Sequence, residues 1–144
     1  MLFRSVAVGA VDAETIRLLE TTERSLAAGI AAAVPGNYLG DIGAAVQRVV
    51  EDAGFSVVRD LVGHGIGVAF HEEPQVPNYG KAKRGLKLVP GLTIAIEPMV
   101  NIGGPATRTL ADKWTIVTVD GSRSAHFEHT VAITDSGNRV LTAA

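Results

Sequence analysis

An α+β fold, with two helices packed on an antiparallel sheet, is predicted by a change of hydrophobic period at Gly54. Before that glycine, apolar residues recur every three or four positions; after it, short β-like runs are separated by Gly and Pro. Composition agrees, since 144 residues with 47% hydrophobic residues, 19% charged residues and a formal net charge of -2 suit one globular unit.

Residues 1–8 read as a short strand, Leu2, Arg4, Val6 and Val8 alternating with Phe3, Ser5 and Ala7, and this strand is expected to lack a partner within the chain. Asp12 suits an N-cap, and Ile16, Leu19, Leu26, Ile30 and Val34 predict a helix to about Val34, ended by Pro35-Gly36. Ile42, Ala45, Val46, Val49 and Val50 predict a second helix closed by Gly54 at the position after its cap. The strands expected next are Phe55 to Leu61, Leu92 to Val100 with a break at Pro98, Trp114 to Val119, and Phe127 to Thr134. Asp135-Ser136-Gly137-Asn138 then turns into Arg139 to Thr142.

Several function classes are excluded. The basic run Lys81, Lys83, Arg84 and Lys87 is short and isolated, a solvated loop rather than a nucleic-acid surface. The apolar start Met1 to Gly9 is too short for a signal peptide or a spanning helix, so no membrane role is expected. With no cysteine, any metal ligands must be His, Asp or Glu, which fits a cytoplasmic setting.

One stretch suggests chemistry. Gly63-His64-Gly65-Ile66-Gly67 continues through Phe70-His71-Glu72-Glu73-Pro74 to Val76-Pro77-Asn78-Tyr79, placing two histidines where glycines leave the backbone bare for a close-approaching ligand. A satisfied histidine in a Gly-rich turn would look the same. Strand alternation then puts Thr93, Ala95 and Glu97 on one face and Ile94 and Ile96 on the other. Likewise Glu128 shares a face with Thr130 and Ala132, opposite Phe127, His129, Val131 and Ile133. These glutamates are either the wet face of a half-exposed sheet or acids set in apolar segments that a cation would compensate.

The runs GHGIG at 63–67, FHEEPQVPNYG at 70–80, IEPMV at 96–100, DKWTIVTVDGS at 112–122 and AHFEHTVAIT at 125–134 resemble the type I methionine aminopeptidases. These are cytoplasmic enzymes of the pita-bread fold that remove the initiator methionine from nascent proteins. The resemblance implies a curved sheet and a divalent cofactor (Mn, Fe, Co or Zn), with His64, Glu97 and Glu128 as metal ligands. It implies that Glu97 is also the proton-shuttling base, that His71 contacts the substrate carbonyl, and that Phe70 and Trp114 line the methionine pocket with His71 beside them.

The departures from the family pattern carry expectations of their own. No residue here matches the family's two metal-binding aspartates or its further active-site histidine, and Asp12, Asp41, Asp60, Asp112, Asp120 and Asp135 read as capping or surface residues. The chain is therefore expected to be a single partial metallopeptidase domain over 1–144, the C-terminal portion without the N-terminal half. It is expected to hold at most one metal where the family holds two, and to have little activity alone. Pairing with the missing half or self-association would complete it. His126 stands where the family commonly carries Gln, and its role is left open. The alternatives are an Xaa-Pro peptidase relative, which tends to carry Arg at that position, and a non-catalytic binding protein on a pita-bread half.

Overall fold

The computed structural model describes residues 1–143. It contains strand β1 (Leu2–Arg4), helices α1 (Ala13–Ala32) and α2 (Leu39–Asp52), and strands β2 (Ser56–Val57), β3 (Gly63–Gly65), β4 (Glu72–Val76) and β5 (Thr93–Ile96). Strands β6 (Met99–Asn101), β7 (Thr107–Thr109), β8 (Ile116–Thr118), β9 (Ser124–Thr134) and β10 (Gly137–Val140) follow.

Both helices begin and end for local reasons. The Asp12 carboxylate accepts the Thr15 N–H at 2.8 Å, the expected N-cap. Helix α1 stops at Ala32, a little before Val34, where the Asn37 side chain donates to the Ala32 carbonyl at 2.9 Å. Asp41 opens α2 by accepting the Tyr38 N–H at 2.8 Å. At the other end Gly54 adopts φ +79°, its N–H donates to Glu51 and the Phe55 N–H donates to Val50. This is a Schellman closure, and Phe55 packs with Val50 and Val46 as such closures require.

Strand β9 is the axis of an eight-stranded sheet whose main path is β2-β6-β9-β5-β3-β4. Along one edge it pairs with β5 (Ile96 opposite His129) and with β6 (Met99 opposite His126) in a single antiparallel register. The two are separated only by Glu97-Pro98, which therefore lies opposite Phe127-Glu128. Pro98 has no N–H to give the ladder, yet its carbonyl still accepts the Phe127 N–H at 3.3 Å. Along the other edge β9 pairs with β1 and β10.

The two helices cover one face of this sheet. Leu26, Leu39 and Ile42 pack there against Ile94, Ile96, Phe127, Val131 and Ile133, and Leu18, Val46 and Val50 pack against Val57, Val100 and Ala125. Two helices on one face of a mostly antiparallel sheet is the layer arrangement that the sequence resemblance implied. No helix among the described residues is long and apolar enough to cross a membrane.

Several elements differ from expectation. The strand expected over residues 1–8 is only Leu2–Arg4, and it does have a partner in the chain, Phe127 to His129 of β9. The run from Phe55 to Leu61 forms only the short β2, because its edge is used only by Asn101 and Val100. Trp114 to Val119 contracts to Ile116–Thr118, which pairs with β7 in a separate two-stranded sheet. Large apolar side chains remain exposed, among them Leu2, Phe3, Val6, Val8, Val68, Phe70 and Trp114.

The glycines around His64 admit the chain's own strands rather than a ligand. A Cβ on Gly63 would fall 2.2 Å from the Ala95 carbonyl oxygen of β5, and one on Gly65 would fall 2.2 Å from the Glu73 carbonyl oxygen of β4. Both obstacles are backbone and cannot swing aside. Gly65→Ala should therefore lower unfolding stability by about 1–3 kcal/mol, the usual cost of overpacking. Chemical denaturation measures this, and a loss indistinguishable from zero would show that β4 yields freely.

Candidate metal centre

His64 occupies the middle of β3, held between β4 and β5. Its Nδ1 lies 2.8 Å from the Gly65 carbonyl oxygen. A carbonyl can only accept, so Nδ1 carries a proton, and in the neutral ring Nε2 presents a bare lone pair. That Nε2 is buried, makes no hydrogen bond, and stands 3.4 Å from Glu97 Oε1.

Glu97 sits at the Pro98 break, where the chain leaves one pairing run and enters the next. Its backbone carbonyl accepts from Asn78 Nδ2 at 3.1 Å, and Asn78 is wholly buried. The segment after His71 thus returns to fix the main chain that carries the glutamate. Glu128, 3% exposed, projects from β9 on the same side, and its Oε1 has no hydrogen-bond partner.

One donor atom from each of His64, Glu97 and Glu128 lies within 4.8 Å of the others. First-row divalent ions bind such nitrogens and oxygens at about 2.0–2.2 Å, so atoms this close can surround one ion. The orphaned His64 Nε2 and Glu128 Oε1 are the kind of buried polar atoms that a cation would satisfy. One imidazole with two carboxylates suits Mn, Fe, Co or Zn. The residues present fit a divalent metal.

The electrostatics agree. Burial, and secondarily the Glu97 carboxylate, pushes the Glu128 carboxyl above its ordinary range, while His126, the chain's amino terminus and His64 pull it back only in part. Two acids whose charges oppose each other in a dry site call for a positive partner.

The other expected site residues divide. The His71 ring lies 4.2 Å from the His64 ring at 58°, beside the cluster, and the Phe70 ring meets His71 edge-on at 4.7 Å. Both are exposed, Phe70 at 64%. Trp114 stands 87% exposed in the β7–β8 connection and, among the described residues, pairs with no other ring. None of the seven aspartates joins the cluster: Asp60 accepts from Thr107, Asp112 from Trp114 and Thr115, and Asp120 from Gly104 and Ser122. Sequence reasoning left the role of His126 open and gave Asn78 none. His126 Nε2 lies 3.4 Å from Glu97 Oε2, and its position two residues before Glu128 puts it on the same strand face as that acid.

Comparison with known proteins gives a consistent result. Metallopeptidase family M24 matches residues 2–135. Methionine aminopeptidase 1 of Bacillus subtilis is 53% identical over 135 residues, covering 94% of this chain and 54% of the relative. The crystal structure of methionine aminopeptidase from Rickettsia prowazekii superposes with a TM-score of 0.95 at 42% identity, covering 97% of this chain and 57% of that one. That from Thermotoga maritima gives a TM-score of 0.93 at 47% identity, with 95% and 55% covered. The chain spans about half the length of the curated relatives it matches.

The raised Glu128 carboxyl sets a pH dependence for the metal-free chain. An unfolded glutamate ionises at about 4.3, and in the fold the charged form is disfavoured. Its contribution to stability is therefore complete below the unfolded value and is lost as pH rises through the higher folded value. Melting temperature in the presence of a chelator should fall across that window, and Glu128→Gln should flatten the fall. An unchanged slope would show that Glu128 is solvated.

Proposed function

The chain belongs to metallopeptidase family M24, and on that premise we propose that it takes part in metal-dependent removal of N-terminal methionine from nascent proteins in the cytoplasm. What carries this reading is the convergence of one donor atom each from His64, Glu97 and Glu128, with His64 Nε2 and Glu128 Oε1 left without hydrogen-bond partners. The relatives named methionine aminopeptidase share about half of their matched residues with it, which favours this activity over that of an Xaa-Pro peptidase.

In this reading His64 Nε2 and the carboxylates of Glu97 and Glu128 hold a divalent ion. Once bound, the ion would polarise the scissile carbonyl and make water a stronger nucleophile at neutral pH. Glu97 takes the proton released as water oxygen bonds to the carbonyl carbon, then hands it to the departing amine as the carbon–nitrogen bond breaks. His71, whose ring adjoins that of His64, donates to the carbonyl oxygen where negative charge develops. Phe70, against the His71 ring, receives the methionine side chain, and Trp114 lines the same pocket once substrate is bound.

Charge limits the metal content. Two carboxylates and a neutral imidazole balance one divalent ion, so we propose at most one here, with water completing its shell. We also propose that the 144 residues act as one partial unit whose cleft is completed by a further segment or a second copy. The exposed Val68, Phe70 and Trp114 support that role.

A Met-Ala-Ser peptide tests the activity. Slow methionine release that needs Mn²⁺ or Co²⁺ and stops with chelator is expected. No release by a chain that still binds the metal would favour a non-catalytic binding role. The ligand assignment has its own check: Glu128→Gln should weaken Mn²⁺ binding in titration calorimetry by at least about tenfold, because it removes charge from the one such donor set among the described residues. Equal affinity would remove Glu128 from the site.

A further inference from the structure

Glu97 is flanked by two imidazoles, one on each carboxylate oxygen: His64 Nε2 at 3.4 Å from Oε1, and His126 Nε2 at 3.4 Å from Oε2. The two rings are not equivalent. His64 belongs to the cluster whose donor atoms could surround an ion, and His126 stands outside it. His64 has its Nδ1 proton committed to the Gly65 carbonyl, whereas the polar side chain facing the His126 ring is Glu97.

His126 Nε2 is buried and has no hydrogen-bond partner besides this near approach to Glu97. A carboxylate oxygen accepts and cannot donate, so the contact is satisfied only when Nε2 carries the proton. We propose that His126 is a positioning residue for Glu97: its Nε2–H donates to Glu97 Oε2 and keeps Oε1 turned toward His64, so that the two flanking imidazoles hold opposite tautomers.

The surroundings hold the ring to this task. Phe3 stacks on it with centroids 4.4 Å apart and planes 17° from parallel. The His126 N–H donates to Ser5 Oγ at 3.0 Å, and the Ser5 hydroxyl and N–H both donate back to the His126 carbonyl, at 3.0 and 3.1 Å. The pairing of Met99 with His126 sets the histidine just across the Pro98 break from Glu97. Strand β1 and the residue after it thus reach the site indirectly, by immobilising the side chain that orients the carboxylate. Partners of this kind are typically worth 10- to 100-fold in metal affinity.

The metal consequence rests on the function proposed above, but the tautomer does not, and the two are separable. Long-range proton–nitrogen correlation spectra of the isotope-labelled, metal-free chain, at a pH where both rings are neutral, read each histidine directly. His64 should appear protonated at Nδ1 and His126 at Nε2. An Nδ1-protonated His126 would overturn the proposal. Mn²⁺ titration then compares variants: His126→Ala should lose about tenfold or more in affinity, and His126→Gln, which restores an N–H donor, should recover most of it. Wild-type affinity in His126→Ala would also overturn the positioning role. A wild-type chain that binds no Mn²⁺ while showing the opposite tautomers would instead remove the metal reading and leave the positioning intact.

Discussion

Two carboxylates opposite one another, Glu97 in the break between β5 and β6 and Glu128 on β9, form the constraint around which this structure is arranged. Their negative charges oppose each other and burial raises the Glu128 carboxyl further, so the strands holding them must be secured by other means. Those means lie on the opposite face. Ile94, Ile96, Phe127, Val131 and Ile133 are buried beneath the helices, and a fully buried side chain of this kind contributes about 1.5–3 kcal/mol. The strand alternation that sends the acids to one side sends these residues to the other. Side chains that take no part in chemistry therefore fix the placement of those that do.

The Pro98 break serves the same end. Leu92 and Pro98 turn their carbonyls to β9, so by the alternation of an antiparallel ladder the intervening Glu97 turns its carbonyl away from it. That carbonyl is taken by the buried Asn78, and Pro98 supplies the carbonyl that Phe127 needs. The register on either side of the break is unchanged, so the sheet tolerates a local departure without losing the alignment that sets Glu97 against Glu128. His64 arrives from a third strand, and the glycines beside it allow β3 to lie close enough to β4 and β5 for its ring to reach Glu97.

Much of this was legible in the sequence because it depends on local rules. The caps at Asp12 and Gly54 follow from side-chain reach and backbone freedom, and both occur as read. The faces of Glu97 and Glu128 follow from two-residue alternation, and both are buried on the side away from the helices. The unreadable parts depend on which strands meet. The partner of Leu2–Arg4 lies more than a hundred residues away in β9, and nothing local to either segment names the other. Ile116–Thr118 pairs with Thr107–Thr109 outside the main sheet, a choice made by tertiary packing rather than by propensity. The bare backbone beside His64 was legible, but its use was not: the same glycines could have admitted a substrate, and they admit two strands.

His126 shows where local reading stops being enough. Alternation alone puts it on the face of Glu128, yet its contact is with Glu97, across the Pro98 break on another strand. A histidine there can act on the site in two ways, lending a lone pair to an ion or a proton to a carboxylate, and geometry selects between them. A ring outside the donor cluster, stacked on Phe3 and aimed at an atom that only accepts, has use for its proton and none for its lone pair. Each oxygen of Glu97 then faces a different kind of imidazole nitrogen, one bare and one protonated. The carboxylate is thereby held in a single orientation before any ion arrives, and less conformational freedom remains to be lost when one does.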